Sequence, residues 1–201
     1  MNIIIDYGLG NLESVYTAFE KLGIETKISS NKDEIAAATS LILPGVGAFR
    51  DAIKALHETN LIPIIKEHVE KGKFLMGICL GMQLLYEKSY ENGEYEGLGI
   101  IKGSVEKLEI DFKIPHMGWN NLKFNKNDEI LKYIKEDDYV YFVHSYYVNS
   151  SNEELIAYAK YGEKIPAIVR NNNVYGIQFH PEKSSDVGFN ILRAYGEMIK
   201  W

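Results

Sequence analysis

Phe74-Leu75-Met76-Gly77-Ile78-Cys79-Leu80-Gly81-Met82-Gln83 leads a short apolar run into a glycine-flanked turn, with the only cysteine of the chain at its apex. The next residues, Met82-Gln83-Leu84-Leu85-Tyr86-Glu87, have amphipathic spacing. Together they predict a strand, a sharp turn and a helix. Glycines two residues before and two after Cys79 let the backbone bend, so that the side chain stands clear of the sheet. The thiol then sits at a helix N-terminus, where the macrodipole favours thiolate. Most free cysteines are small core hydrophobes, but the glycine pair at a strand–helix boundary argues for a nucleophile.

Working outward, the first half alternates strand and helix. Asn2 to Ile5 reads as a short buried strand. Asn11 to Leu22 reads as a helix with Leu12, Val15, Phe19 and Leu22 on one face, ended by Gly23. Thr26 to Ser29 is strand-like, Lys32 to Ala38 a short helix capped by Asn31, and Leu41 to Leu43 a buried strand. Phe49 to Leu56 and Leu61 to Glu70 are helical. This alternation implies a parallel sheet with helices on both faces. The second half is richer in strands, mostly antiparallel: Ile100 to Leu108, Asn121 to Phe124, Tyr139 to Val148, Leu155 to Lys160, Ala167 to Arg170 and Val174 to Phe179. A helix from Ser184 to Lys200 follows. Tyr90 to Gly97 and Asn125 to Asp128 read as mobile surface segments.

A cysteine nucleophile needs a base, and the base needs an orienting acceptor. The strand Val174 to Phe179 runs into His180-Pro181-Glu182. In extended geometry His180 and Glu182 point to one side, so Glu182 holds one imidazole nitrogen while the other faces Cys79. His144 is a rival base, but no carboxylate lies within two residues of it.

Other runs carry weaker signals. Pro44-Gly45-Val46-Gly47 follows a strand at the carboxyl edge, where ligands bind in open α/β sheets. Its glycines free backbone N–H groups to face an oxyanion, although an ordinary tight turn would look the same. Asp6-Tyr7-Gly8-Leu9-Gly10-Asn11 starts like a dinucleotide fingerprint, but Glu13 stands where the third glycine belongs. A packing loop or partner contact fits it better than NAD binding. Pro115-His116-Met117-Gly118-Trp119-Asn120 suits core filling or a partner surface. The aromatic stretch Tyr139 to Tyr147 suits a strand buried on both faces or one flanking a pocket.

Bulk properties bound the function. A chain of 201 residues with 46% hydrophobic residues suits one domain, spanning 1–201, with a sizeable core. A net charge of -6 argues against nucleic acid or an anionic membrane as the main partner. One cysteine excludes an internal disulfide or a multi-cysteine zinc site, and no two of the five histidines stand at i, i+4. No apolar run approaches the ~20 residues of a membrane span. With no basic region ahead of Asp6, no signal peptide is expected, which points to the cytoplasm.

Pro-Gly-x-Gly, Gly-x-Cys-x-Gly-x-Gln and His-Pro-Glu, in that order, resemble the class I (triad) glutamine amidotransferases. The resemblance spans Met1 to Trp201. It implies a three-layer α/β fold: a central, mostly parallel sheet with flanking helices and a more antiparallel C-terminal half. The runs Asp6 to Asn11, Pro115 to Asn120, Tyr141 to Tyr146 and His180 to Ser184 are most similar to the glutaminase subunits of imidazole glycerol phosphate synthase, of histidine biosynthesis. Ser145 stands where some members carry threonine.

Carried over position by position, the resemblance implies that Cys79 attacks glutamine, His180 moves the proton and Glu182 orients it. Backbone N–H groups near Val46 and at Leu80 would stabilise the oxyanion. Gly47, Gln83, His144, Ser145 and Tyr146 would border the glutamine. Ammonia would pass to a (β/α)₈-barrel cyclase in a heterodimeric lyase complex. Asn11, Met117, Trp119, Tyr141 and Lys183 would lie at or near that interface. No metal or organic cofactor is implied. The rivals are an ammonia donor for vitamin B6, chorismate or surface-sugar amination, a stand-alone Cys hydrolase of peptides, and an idle binding module. The intact Cys79, His180 and Glu182 speak against the last.

Overall fold

The computed structural model describes residues 1–199. Along the chain the first elements are β1 (Asn2–Ile5), α1 (Leu12–Lys21), β2 (Thr26–Ser29), α2 (Lys32–Ala37) and β3 (Ser40–Leu43). Then come α3 (Phe49–Thr59), α4 (Ile62–Glu70), β4 (Phe74–Ile78), α5 (Leu80–Leu84), β5 (Tyr86–Ser89), β6 (Tyr95–Glu96) and β7 (Ile101–Lys107). The remainder is β8 (His116–Asn121), β9 (Lys123–Phe124), β10 (Tyr139–His144), β11 (Tyr146–Asn149), β12 (Leu155–Tyr161), β13 (Glu163–Asn171), β14 (Val174–Ile177) and α6 (Ser185–Met198). Lys200, included in the expected C-terminal helix, lies outside the described residues.

Among the described residues the main sheet has eight strands in the order β2-β1-β3-β4-β14-β13-β12-β9. β2 to β14 are parallel, and β13, β12 and β9 continue antiparallel. Both faces of the parallel part are covered, which is why its strands read as unbroken apolar runs. Ile3, Ile5, Leu41, Leu43 and Leu75 pack with α2, α3 and α4 residues on one side. Ile4, Ile42 and Met76 pack with Val15 and Phe19 of α1 and Ile191, Leu192 and Tyr195 of α6 on the other. Period-two side-chain alternation thus divides each strand between two cores, giving three layers. Asn31 starts α2, its Oδ1 accepting from the N–H groups of Asp33 (2.9 Å) and Glu34 (3.1 Å).

Two smaller sheets, β10-β8 and β11-β7-β5-β6, lie beyond the main one. They correct several sequence expectations. The stretch Met82 to Glu87 is not one amphipathic helix: α5 is buried at every position, and Tyr86 and Glu87 already belong to β5, parallel to β7. A helix buried all round gives no amphipathic signal. The segment Tyr90 to Gly97 holds β6 rather than a free loop. β8 begins at His116, ahead of the expected Asn121. The aromatic stretch is broken at Ser145, and β10 is buried on one face only. No helix among the described residues is long and apolar enough to cross a membrane.

Candidate active site

The parallel strands run the same way, so the loops after β1, β3, β4 and β14 gather at their carboxyl edge. The strand order reverses between β1 and β3, the crevice position for ligands in such sheets. Cys79 follows β4 and is the residue before α5. Its backbone stands at φ 55°, ψ -113°, a conformation rare for a residue with a side chain and costing on the order of 1–3 kcal/mol. The surroundings impose it. The Cys79 N–H donates to Ile177 (2.7 Å), extending the β4–β14 ladder, while its carbonyl accepts from Met82 and Gln83 of the new helix.

The glycines work differently from the sequence reading. The bend is at Cys79 itself, and neither Gly77 nor Gly81 has positive φ. They serve close packing: a Cβ on Gly81 would run into the Leu43 carbonyl of β3, and one on Gly77 into Gly81. Gly45 is equally confined, since its Cβ would lie 2.7 Å from the Gly81 nitrogen. Gly47 differs, with φ +94° and open space around it. The Asp6–Asn11 loop packs here too: the Tyr7 hydroxyl donates to the Pro44 carbonyl at 2.8 Å.

His180 and Glu182 do come together, with Nδ1 and Oε1 2.8 Å apart and both side chains buried. They do so across a 3-10 turn, Pro181–Lys183, not along an extended strand, because β14 ends at Ile177. Pro181 begins that turn, where its fixed φ fits and its missing N–H costs nothing. The turn is tied to β10. The His180 N–H donates to Tyr141 (3.0 Å), and the Ser184 hydroxyl donates to the His180 carbonyl (2.6 Å) while accepting from the Tyr141 N–H (2.9 Å). Burial disfavours a charged imidazole, but the Cys79 sulfur and the Glu182 carboxylate outweigh it and push the His180 pKa up to about 10.

Cys79 and His180 face one cavity of about 340 Å³, which Val46, Gly47, Leu80, Gln83, His144, Ser145 and Tyr146 also line. Glu182 sits behind His180. Glu91 and Val143 complete the lining. Glu91 was not foreseen: it comes from the β5–β6 loop and accepts the Phe49 N–H at 2.8 Å, capping α3 from a distance. Gln178 was also missed. It is fully buried, accepts from Gln83 Nε2 (3.1 Å) and aims its own Nε2 at Cys79 Sγ (3.8 Å). A polar residue within the apolar run Val174 to Phe179 was the available signal. His144 is committed on both nitrogens, Nδ1 to the Tyr146 carbonyl (2.9 Å) and Nε2 to His116 (3.0 Å). Its pKa falls to about 3, chiefly through burial. His180 is therefore the base this geometry offers.

Met117 and Trp119 project from the exposed face of β8, at 57% and 53% exposure. Trp119 meets Tyr141, its register partner on β10, edge to face at 6.0 Å. Lys183 is exposed one residue after Glu182, and Asn11 is half-buried at the start of α1.

The family model for class-I glutamine amidotransferases matches residues 3–193. The imidazole glycerol phosphate synthase subunit HisH of Caldanaerobacter subterraneus subsp. tengcongensis is 54% identical over 198 residues, 98% of each chain. The HisH subunit of Oceanobacillus iheyensis is 49% identical over the full length of both. Among solved structures, a glutamine amidotransferase superposes with a TM-score of 0.77 at 22% identity, covering 98% of this chain and 97% of that one. The PurLQS structure from Thermotoga maritima gives 0.76 at 18% identity, covering 99% and 98%. The chain belongs to the class-I glutamine amidotransferases, and within them to the HisH subunits of imidazole glycerol phosphate synthase.

Proposed function

We propose that the chain hydrolyses glutamine as the glutaminase subunit of imidazole glycerol phosphate synthase, with Cys79, His180 and Glu182 as its catalytic residues. The observation that carries this is the buried His180–Glu182 pair facing, across one cavity, a cysteine held in strained backbone at the head of a helix. Cys79 Sγ attacks the carboxamide carbon and its proton passes to His180, whose Nδ1 is held by Glu182. The oxyanion accepts hydrogen bonds from the Leu80 N–H, which has no intrahelical acceptor at the first position of α5, and from backbone N–H near Val46. As the tetrahedral intermediate collapses, the C–N bond breaks and His180 returns its proton to the leaving nitrogen. Water then attacks the thioester, His180 takes the water's proton, and glutamate leaves with the thiol restored. Gly47, Gln83, His144, Ser145 and Tyr146 border the substrate. No metal or organic cofactor enters these steps.

The ammonia goes to a cyclase partner, a (β/α)₈ barrel. That partner forms imidazole glycerol phosphate and an aminoimidazole carboxamide ribotide for histidine biosynthesis. Met117, Trp119, Tyr141, Lys183 and Asn11 form the docking face, since an exposed Trp–Tyr–Met cluster with a cation at its edge has hot-spot composition. A cytosolic site keeps the single thiol reduced. The test is intact-mass analysis after acid quench of the partner-bound protein with glutamine. A γ-glutamyl adduct on Cys79 is expected in the wild type and absent from Cys79→Ala. Turnover of glutamine by Cys79→Ala would refute the assignment.

A further inference from the structure

Two buried histidines outside the triad face each other across the β8–β10 pair, His144 in the cavity wall and His116 behind it. Their hydrogen bonds fix every proton. At one end, Asn120 Oδ1 accepts the Asn121 N–H (2.8 Å), so Asn120 Nδ2 is the donor it must be to reach the Lys160 carbonyl (3.1 Å). That same Nδ2 lies 3.2 Å from His116 Nε2, which is therefore an acceptor. A neutral imidazole has one donor and one acceptor, so His116 Nδ1 carries the hydrogen and donates to His144 Nε2 at 3.0 Å. His144 then donates from Nδ1 to the Tyr146 carbonyl at 2.9 Å. Read backward from that carbonyl, which can only accept, the assignment is the same. The two ends agree.

The chain ends on the cavity wall. The Tyr146 carbonyl also accepts from Gln83 Nε2 (3.1 Å), and Gln83 leads through Gln178 to the Cys79 sulfur. The Ser145 carbonyl is taken by the Leu108 N–H (3.1 Å). Both wall carbonyls are thus turned into protein, and the kink at Ser145 is closed by the His144–Tyr146 contact. The His116 ring is clamped between Phe142 (centroids 4.5 Å apart) and Tyr161 (4.0 Å), so it cannot turn to exchange its nitrogens.

We propose that His116, oriented by Asn120, is a positioning residue that locks His144 in its Nδ1–H form and thereby fixes the Ser145–Tyr146 wall for glutamine. The inference rests on reading that wall as the glutamine site. Both rings are neutral through ordinary pH: burial lowers the pKa to about 4 for His116 and about 3 for His144, and the charge on His180 adds to the latter effect.

The test uses two substitutions in the partner-bound enzyme. His116→Phe keeps the ring stack and loses the donor to His144. His116→Asn loses the stack but keeps a donor at the Nδ1 position. His116→Phe should raise KM for glutamine about tenfold, the worth of one buried hydrogen bond, with little change in kcat. His116→Asn should restore KM toward wild type while melting lower. Long-range proton–nitrogen NMR should find both rings neutral and protonated at Nδ1. A KM unchanged in His116→Phe, or KM changes that follow melting temperature in both variants, would overturn the proposal, as would an Nε2–H tautomer at His144. Failure of the wild type to hydrolyse glutamine would instead sink the functional reading and leave the tautomers as they are found.

Discussion

At the residue scale, His180 is held by three different contacts: its N–H on β10, its carbonyl on Ser184 and its Nδ1 on Glu182. The first two set the backbone and the third sets the ring. His180→Ala should therefore cost roughly 10²–10⁴-fold in glutamine turnover, and Glu182→Gln no more than that, because the acid orients while the base transfers. Steady-state glutamate release measures both, and a crippling His144→Ala beside a mild His180→Ala would reverse the assignment. The raised pKa of His180 also bears on stability. A group whose pKa rises on folding stabilises fully below its unfolded value, near 6.5, and that contribution fades as pH rises toward about 10. Glu182→Gln removes part of the upward pull, so denaturant midpoints should decline less across this window than in the wild type. An identical decline in both proteins would contradict the coupling. Cys79 and the His180–Glu182 pair were legible in the sequence because each sits in a short local pattern. Gln178 and Glu91 were not, since their roles arise from contacts with residues 99 and 42 positions away.

At the scale of elements, strand, turn and helix are welded by glycines that leave no room for a methyl group. Gly81→Ala sets a Cβ against the backbone of Leu43 in β3 and of Pro44 just after it. Neither can give way by rotating a side chain, so a loss of about 1–3 kcal/mol of stability is expected, with glutaminase activity falling alongside. Urea denaturation checks this, and a neutral Gly81→Ala would show that the elbow is looser than its packing implies. Gly47→Ala meets no atoms but strains a left-handed φ, so it should lose only about 1 kcal/mol. Its effect should fall on stimulation by the partner, because the left-handed φ of Gly47 sets the direction of the peptide beside Val46. The parallel β–α units were legible from period and caps, Asn31 among them. β5 and β6 were not: β6 is only two residues long and pairs with β5 alone, and β5 joins β7 across a register shift between Tyr86 and Lys88.

At the scale of the whole molecule, the face bearing Met117, Trp119, Tyr141 and Lys183 adjoins the triad through the Tyr141–His180 bond, so on the proposed reading a partner seated there would close the mouth by which ammonia would escape. Lys183→Ala should weaken association, and Trp119→Ala should raise the glutamate formed per imidazole product. A binding titration run beside that ratio decides, and wild-type values for both variants would place the interface elsewhere. If the purified chain alone leaves the N–H near Val46 turned from the oxyanion, it should hydrolyse glutamine slowly, since losing one such donor forfeits on the order of 3 kcal/mol. The central claim is that Cys79 generates ammonia for a separate synthase centre, and the most direct measurement is the activity of Cys79→Ala reassembled with the cyclase. With glutamine as nitrogen source, no imidazole product should form; with ammonium salts, product should form at the wild-type rate. Product formation from glutamine, or loss of the ammonium-dependent reaction in a complex that still assembles, would contradict the account.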